Sequence, residues 1–330
     1  MRAMYWMRFA LAVSAGFLHS ATIFATPIAA QVYPNKAIRI VVPFPPGGGA
    51  DMTARPIAQK LSERWGQPVV IDNRGGASGM IGADIVAKAP PDGYTLMVGS
   101  SAEAALNVAL FPKMPYDPVR AFAPITLAIV TPIALVVHPS VPIKSVKEYI
   151  AIARAKPGSM TFGSAGAGSI HHFAGEWLKM LTKIDIVHVP YKGMGPAIID
   201  MVGGQIPSGF ATLLPALQHM KAGKLRVLAV TTQKRAPLLP DAPALAETLP
   251  GFDVTQWNAV WAPAATPKDV LDKLRAEIMR IVQSPEYKAR MSEQAAEAIG
   301  NSPSELAAFQ KAEIDKYRKI AQQANIKVDQ

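Results

Sequence analysis

The segment of residues 38–51 constrains the fold more than any other part of the sequence, because it joins a strand signal to a loop that cannot extend the strand. Val41 and Val42 are β-branched and suit a pleated, half-buried surface. The prolines within residues 43–46 have no N–H to give to a sheet ladder, so strand pairing is expected to stop there. The segment therefore predicts a buried strand that ends in a rigid loop.

The end of this loop is rich in glycine. The consecutive glycines at residues 47–49 allow the backbone to approach a ligand closely. Asp51 is a favoured N-cap residue, and the apolar residues that follow it predict a helix over residues 52–65. A strand, a glycine loop and a helix start offer free backbone N–H groups to an anion. A plain βα connection without a ligand is an equally good interpretation of these residues alone.

Short apolar strands alternate with helices along the rest of the chain, which is the pattern of an α/β fold. Further strands are predicted at residues 69–72, 94–98, 160–163, 185–190, 208–212 and 225–231. We interpret the strand-like segments 132–139 and 259–263 as the two crossings between lobes. The first lobe is then discontinuous, with residues 31–131 and 260–330, and the second lobe is residues 132–259. A ligand cleft is expected between them.

A second segment, residues 161–172, repeats the same arrangement: a strand, a run of small residues and a helix predicted over residues 170–181. If both loops face the cleft, two helix N-termini point at the ligand, each equivalent to about half a positive charge. Neither loop contains lysine or arginine. A carboxylate would be bound there by backbone N–H groups, by the hydroxyls of Ser164 and Ser169, and by water.

Nucleotide and metal chemistry fit these segments poorly. Met52 stands where a dinucleotide fingerprint needs a small residue, and no Gly-Lys-Ser/Thr follows to make a phosphate loop. His171 and His172 are adjacent, so they do not share the helical face that paired metal ligands use, and the chain has no cysteine. We therefore expect no metal and no cofactor, with one histidine lining the cleft and the other capping or packing.

An exported hydrolase acting on a small ester or amide is the alternative that stays open. Residues 163–166 miss the Gly-x-Ser-x-Gly spacing of a nucleophile elbow by one residue. Ser169 and His171 could imitate part of a triad, but residues two apart at a helix start generally point in different directions. These patterns favour ligand binding over catalysis.

Charge and the N-terminus bear on partners and compartment. The net charge is +10, but the basic residues are scattered, which argues against nucleic-acid binding and favours a diffuse attraction of small anions. Two arginines precede an apolar run over residues 9–24, and residues 28–30 are typical of a cleavage site. We predict a signal peptide over residues 1–30 and an exported, soluble mature protein that starts near Gln31. Without cysteine there is no disulfide and no lipid anchor at that site.

Many short motifs, in order, resemble those of the Bug, or tripartite tricarboxylate transporter receptor, solute-binding proteins. The resemblance covers essentially the whole mature chain and rests on residues 33–34, 38–51, 54–55, 66–74, 91–96, 115–118, 162–164, 166, 168–169, 172, 189–193, 203–205, 222–226, 261–263 and 266–267. It implies an α/β, two-lobed periplasmic binding protein of the type II-like, Venus-flytrap kind, in which two crossing strands join the lobes. It also implies capture of a small mono- or dicarboxylate, no catalysis and no tightly held cofactor.

In the family, the loops that match residues 44–51 and 163–169 hold ligand carboxylates largely through backbone groups and ordered water. The predicted ligand-binding residues of this chain are Phe44, Gly48, Gly49, Asp51, Ser101, Ser164, Ala165, Gly166, Gly168, Ser169, His171 and Thr212. Asp51 is expected either to cap its helix or to meet a ligand N–H. The expected partners are the ligand and the subunits of a membrane transporter or a sensor, without nucleic acid, and the expected state is a periplasmic monomer.

Several positions depart from the family pattern. Pro207 and Ala211 stand where acidic residues are frequent, so the wall of the second lobe is expected to differ. Ala121 likewise replaces a usual acidic residue. Pro56 stands where a helix-compatible apolar residue is usual, which puts the start of the first helix in doubt unless the proline falls in its first turn.

Overall fold

The computed structural model describes residues 33–328. The signal peptide predicted over residues 1–30 and the predicted mature start at Gln31 lie outside the described residues. Within residues 33–328, no helix is long and apolar enough to cross a membrane. The strands of this part of the chain form two separate sheets, and helices connect the strands.

The first sheet contains β1 (Ile38–Val42), β2 (Val69–Asn73), β3 (Thr95–Ser100), β4 (Phe122–Thr131), β10 (Gln256–Pro263) and β11 (Glu297–Ala298). Their order across the sheet is β11-β4-β10-β3-β1-β2. β1 pairs in parallel with β2 and β3, and β10 pairs antiparallel with β3 and β4. The predicted strand at residues 38–42 is thus the centre of a parallel unit.

The second sheet contains β5 (Ile133–Val137), β6 (Met160–Ser164), β7 (Ile186–Pro190), β8 (Ser208–Thr212) and β9 (Arg226–Val230). The order is β7-β6-β8-β5-β9, with β6 parallel to β7 and β8, and β5 antiparallel to β8 and β9. Each of these strands overlaps a segment that the sequence predicted, whereas β4 and β11 were missed.

The helices are α1 (Gly49–Trp65), α2 (Met80–Ala87), α3 (Asn107–Leu110), α4 (Val146–Ala155), α5 (Ile170–Thr182), α6 (Met194–Val202), α7 (Leu213–Lys221), α8 (Leu245–Thr248), α9 (Lys268–Val282), α10 (Pro285–Glu293) and α11 (Pro303–Ala324). A 3₁₀ turn, Ala77–Gly79, precedes α2, and a π-helical turn, Ala102–Leu106, precedes α3. Irregular helical turns of the π type are frequent at functional sites.

The start of α1 differs from the prediction. The helix begins at Gly49 with Gly48 as N-cap, so the prediction that Asp51 is the N-cap is wrong. Pro56 lies inside the helix rather than in its first turn. Its missing N–H leaves the carbonyl of Met52 without the usual donor four residues later. The helix persists because its inner face is buried, including Pro56, Ile57 and Leu61.

The chain crosses between the sheets twice. Only Pro132 separates β4 from β5, and the segment of residues 231–255 leads from β9 back to β10. β10 begins at Gln256 and pairs in the first sheet along its whole length, including residues 256–259, which the sequence had assigned to the second lobe. We propose that the second lobe boundary lies at Thr255 rather than at residue 259.

The C-terminal helix α11 touches both halves of the molecule. It packs on β4 and α3 beside the first sheet and on α5 beside the second. Tyr317 of α11 meets Phe173 of α5 edge to face, with ring centroids 5.2 Å apart. The Trp257 indole on β10 donates to Glu313 Oε2 at 3.0 Å, so a strand of the first sheet holds the same helix.

Candidate ligand-binding site

The first loop, defined as residues 43–48, leaves the first sheet at the carboxyl end of β1. Because β1 and β3 are parallel neighbours, with Val41 opposite Met97, their carboxyl ends lie at the same edge of the sheet. Ser101 follows β3 at that edge. The predicted site residues of the first lobe are therefore brought together by strand register.

The same edge is where the chain crosses to the second sheet. Gln256, the first residue of β10, pairs with Thr131, the last residue of β4. In the second sheet, Ile133 pairs with Thr212 at the carboxyl end of β8. The second loop, defined as residues 165–169, leaves the neighbouring strand β6 at that end. The two loops thus emerge from the sheet edges that the crossings connect.

A packing contact also places the second loop beside the first lobe. A Cβ placed on Gly168 would lie 2.9 Å from Leu110 Cδ1 of α3 and 2.7 Å from Val328 Cγ1 near the C-terminus. Leu110 belongs to the helical segment that follows Ser101. Gly168 has a φ of +72°, so its conformation and its surroundings both favour glycine.

Asp51 shapes the first loop. Its side chain is only 2% exposed, and its carboxylate accepts hydrogen bonds from Gly47 N–H (2.9 Å), from Arg55 (2.7 and 2.9 Å) and from Asn73 Nδ2 (3.0 Å). Asn73 Nδ2 also donates to the Phe44 carbonyl at 3.0 Å. Both carboxylate oxygens are occupied, so Asp51 braces the loop from the side of α1, which corrects the expectation that it caps the helix or meets the ligand.

The ionisation of Asp51 follows from these contacts. Burial alone would raise its pKa, but the hydrogen bonds from Arg55, Gly47 and Asn73 outweigh it, so the pKa lies below its ordinary value. The carboxylate charge is balanced within the brace by the Arg55 guanidinium.

The N-terminus of α1 presents backbone N–H groups without partners. Gly48 offers no side-chain cap, and Thr53 Oγ1 donates to the Gly49 carbonyl at 2.7 Å rather than accepting from the backbone. Among the described residues, nothing accepts a hydrogen bond from the N–H of Gly49 or Ala50. These two N–H groups are what an anion would use.

The second loop is built from hydroxyls. Ser164 Oγ accepts from Gly166 N–H at 3.0 Å and lies 2.6 Å from His188 Nε2. Ser169 is the N-cap of α5: its hydroxyl accepts from His172 N–H at 3.3 Å and donates to the Gly166 carbonyl at 2.7 Å. The hydroxyls of Ser164 and Ser169 therefore fold the loop on itself. The carbonyl of the neighbouring Ala165 accepts from Gly193 N–H at 3.1 Å.

Two neutral histidines support this loop from below. His172 Nδ1 accepts the Gly168 N–H at 3.1 Å, so this nitrogen carries no proton. The His172 and His188 rings stack with centroids 3.7 Å apart and planes 10° apart. Burial lowers the pKa of His172 to about 3 and that of His188 to about 4.

His171 takes a different position. Its Nε2 lies 2.8 Å from Thr212 Oγ1, the residue that ends β8, so these two predicted site residues meet. Its Nδ1 is buried without a hydrogen-bond partner, and burial lowers the pKa of the ring to about 4. His171 and His172 thus point at different partners, and within residues 33–328 no group of acidic or histidine side chains is placed to hold a metal ion.

Phe44 and a residue that the prediction missed, Glu103, lie together beside Gly79. A Cβ on Gly79 would lie 3.1 Å from Phe44 Cζ and 3.0 Å from Glu103 Oε2. Glu103 is 1% exposed and accepts hydrogen bonds from the Ser100 N–H and hydroxyl. Burial raises its pKa to about 7, against those hydrogen bonds. The Ser-x-x-Glu spacing of a capping box was the sequence signal for it.

The sequence of this chain is similar to those of a known family of receptors. Residues 53–326 match the model of the tripartite tricarboxylate transporter family receptor. This chain belongs to that family. The family's BugT of Bordetella pertussis is 35% identical over 320 residues, which cover 96% of this chain and 98% of BugT. The predicted membership among Bug-type receptors is confirmed.

Two solved structures of such receptors share the fold. R. palustris Rpa4515 with adipate is 38% identical, has a TM-score of 0.77 and covers 89% of this chain and 99% of its own. MatC from Rhodopseudomonas palustris with bound malate is 32% identical and has a TM-score of 0.72, and the match covers 87% of this chain and 99% of MatC. The predicted two-lobed α/β periplasmic binding fold is confirmed, and these relatives are solute-binding proteins.

Proposed function

We propose that this receptor captures a small mono- or dicarboxylate between its lobes in the periplasm and delivers it to a tripartite tricarboxylate-type transporter or to a sensor. The observation that carries the proposal is the pair of loops without lysine or arginine at the two connected sheet edges, one of them ending in the free N–H groups of α1. The receptor relatives solved with adipate and with malate support a carboxylate ligand.

The electrostatics suit an anion of modest charge. A helix N-terminus is equivalent to about half a positive charge, and two of them meet at the proposed cleft. Arg55, the first basic residue after the first loop in sequence, is paired with Asp51 and is not free to form a second clamp. The ligand would be held by oriented N–H groups, which favour a planar carboxylate over a cation or a neutral solute.

We propose the ligand contacts in two groups. Gly48, Gly49 and Ser101 would act from the first lobe. From the second lobe the contacts would be Ala165, Gly166, Gly168, His171 and Thr212, with Ser164 and Ser169 holding their loop in shape. The signal peptide, the monomeric state and the lobe boundaries remain predictions of the same proposal.

Two experiments test the proposal: identification of the bound ligand, and the substitution Gly49→Ala. Native mass spectrometry of the purified protein identifies a copurified acid, and calorimetric titration with adipate and with L-malate measures affinity. A ligand at a hundred times its dissociation constant stabilises a protein by about 2.7 kcal/mol, so a thermal shift is readily seen. No bound acid and no thermal shift with any small carboxylate would overturn the proposal.

Gly49→Ala gives the matched test of the site. A Cβ at Gly49 meets its neighbours at 3.6 Å, an ordinary contact, so the variant is expected to fold. Its methyl would crowd the first N–H groups of α1, and we expect at least a tenfold loss of carboxylate affinity. Gly195→Ala, in open space on α6, is the control and should bind as the parent does.

The hydrolase alternative is favoured by one observation, the 2.6 Å approach of Ser164 Oγ to His188 Nε2. Ser164 is fully buried, and its hydroxyl already accepts from Gly166 N–H, so the pair serves loop structure. Turnover of p-nitrophenyl acetate that is abolished by Ser164→Ala would reverse this assignment. We expect no turnover above the background rate.

A further inference from the structure

Two side-chain amides of β10 flank the N-terminus of α1. A Cβ placed on Gly49 would lie 3.6 Å from Asn258 Oδ1 and 3.6 Å from Gln256 Nε2. The two residues are two apart on a strand, so their side chains share one face of the sheet. Neither residue carries a local sequence signal, because only the register of β10 brings them to the first loop.

The orientation of the Asn258 amide is fixed. The residue is 1% exposed, and its Nδ2 donates to the Gly99 carbonyl on the neighbouring strand at 3.0 Å. The carbonyl oxygen Oδ1 must then be the atom that faces Gly49, because the amide nitrogen is held on the other side. Among the described residues, none donates a hydrogen bond to Oδ1. The buried side chain of Asn258 therefore presents an unpartnered acceptor to the helix N-terminus.

An acceptor at this place is a selective element. The free N–H groups of Gly49 and Ala50 attract a carboxylate, but the oxygen of Asn258 repels a second oxygen brought close to it. The conflict disappears if the ligand carries a donor hydrogen beside its carboxylate. A buried polar group that a ligand leaves unpaired costs binding energy, so such sites discriminate strongly against analogues that lack the matching group.

We propose that Asn258 selects carboxylic acids that bear a hydrogen-bond donor, a hydroxyl or an ammonium group, on the carbon next to the bound carboxylate. The inference rests on the proposed carboxylate-binding function and narrows its ligand class. Gln256 has the complementary role. Its Nε2 is a donor that lies as near to a Cβ placed on Gly49 as Asn258 Oδ1 does, and it adds a hydrogen bond to the carboxylate itself. Affinity and selectivity are thus assigned to different residues of one strand.

The unmodified protein gives the first test. Calorimetric titration with succinate, L-malate and L-aspartate compares four-carbon dicarboxylates that differ only in the substituent next to one carboxylate. We expect L-malate or L-aspartate to bind at least tenfold tighter than succinate, and the tighter of the two shows whether the donor is a hydroxyl or an ammonium group. Equal affinities within threefold would overturn the inference. If no acid binds at all, the proposed function fails instead.

Two variants separate the roles. Gln256→Met keeps the side-chain length and removes the donor, so it should weaken all three acids by a similar factor, about tenfold, and keep their ratios. Asn258→Leu keeps the branched shape of the side chain and removes the acceptor, so the ratio of the affinities for L-malate or L-aspartate and for succinate should fall to within threefold. A ratio that survives in a folded Asn258→Leu protein, judged by circular dichroism, contradicts the assignment. If that variant does not fold, the affinity ratio of L-malate or L-aspartate to succinate in the unmodified protein still tests the proposed ligand class.

Discussion

The two loops of the proposed cleft have similar sequences of small residues but are held in place by different chemistry. The first loop is braced by an ionised carboxylate, Asp51, with a guanidinium and an amide around it. The second loop is held by hydroxyls and by the neutral His172 and His188 rings. A glycine-rich sequence specifies that a loop can approach a ligand, whereas the residues below the loop specify the conditions under which it keeps its shape.

The difference predicts that the two supports are lost in different pH ranges. The Asp51 brace is present above the unfolded pKa of an aspartate, about 3.9, and is lost only as pH falls through its lower folded pKa. The histidines are neutral in the folded protein and protonated in the unfolded chain below about pH 6.5, so their contribution is lost as pH falls. The second loop is the acid-sensitive one.

The largest expected effect comes from removing the first brace. Asp51→Ala leaves the Gly47 N–H, the Asn73 amide and the Arg55 guanidinium without their common acceptor. We expect the free energy of unfolding in urea to fall by about 3 kcal/mol, because a buried charged acceptor is lost while its half-exposed donor Arg55 can turn to water.

Glu63→Ala on the same helix is the control for Asp51→Ala. Its carboxylate is 53% exposed and pairs with Lys60, so the change should be within about 0.5 kcal/mol. Equal effects of the two substitutions would show that Asp51 is not a brace.

The second prediction concerns the histidine stack. Between pH 7 and pH 5 the unmodified protein should lose about 2 kcal/mol of unfolding free energy through His172 alone, because the unfolded chain takes up the proton that the folded ring refuses. His172→Asn places an amide oxygen where Nδ1 accepts the Gly168 N–H and cannot titrate, so the unfolding free energy of this variant should change by about 2 kcal/mol less over this range. His219→Gln on α7 is the control. Parallel pH profiles of all three proteins would refute the role of the stack.

The third prediction is of similar size and opposite sign. Glu103, beside Gly79, has a folded pKa raised to about 7, so the folded state binds a proton that the unfolded state has released. The contribution of Glu103 to the free energy of unfolding therefore falls by about 2 kcal/mol as pH rises from about 5 to 7. Glu103→Gln keeps a hydrogen-bond acceptor for Ser100 and should flatten this slope. A slope unchanged in Glu103→Gln would assign it to other groups.

The smallest effect isolates the contact of the second loop with the first lobe. Gly168→Ala and Gly223→Ala place a methyl at similar φ values, +72° and +68°, but only Gly168 has neighbours within 4 Å. The backbone cost of about 1 kcal/mol is shared. We expect Gly168→Ala to lose about 1 kcal/mol more in urea unfolding. Equal losses would mean that the side chains of Leu110 and Val328 move aside without an energetic cost.

Much of the fold could be predicted from the sequence, because β-branched runs, prolines and serine caps act locally. β1 and β8 match their predicted bounds. β4 was missed because no clear turn residues separate it from the preceding loop, so its start is not marked in the sequence.

The site was predictable only in part. The loops were found because glycine and proline mark them, but Asp51 was misassigned because its partner Asn73 comes from another strand. His188 and Asn258 reach the loops through the pairing of β7 with β6 and of β10 with β3. No local pattern encodes such register, so these residues became visible only in the folded chain.

The position of α11 has a consequence for how the lobes move. A helix that packs on α3 and β4 and also on α5 cannot follow both lobes at once when the cleft opens. Any separation of the two sheets would therefore have to change the packing of α5 on α11, at the ring pair of Phe173 and Tyr317. Because Ser169 is the N-cap of α5, such a change would also displace the second loop.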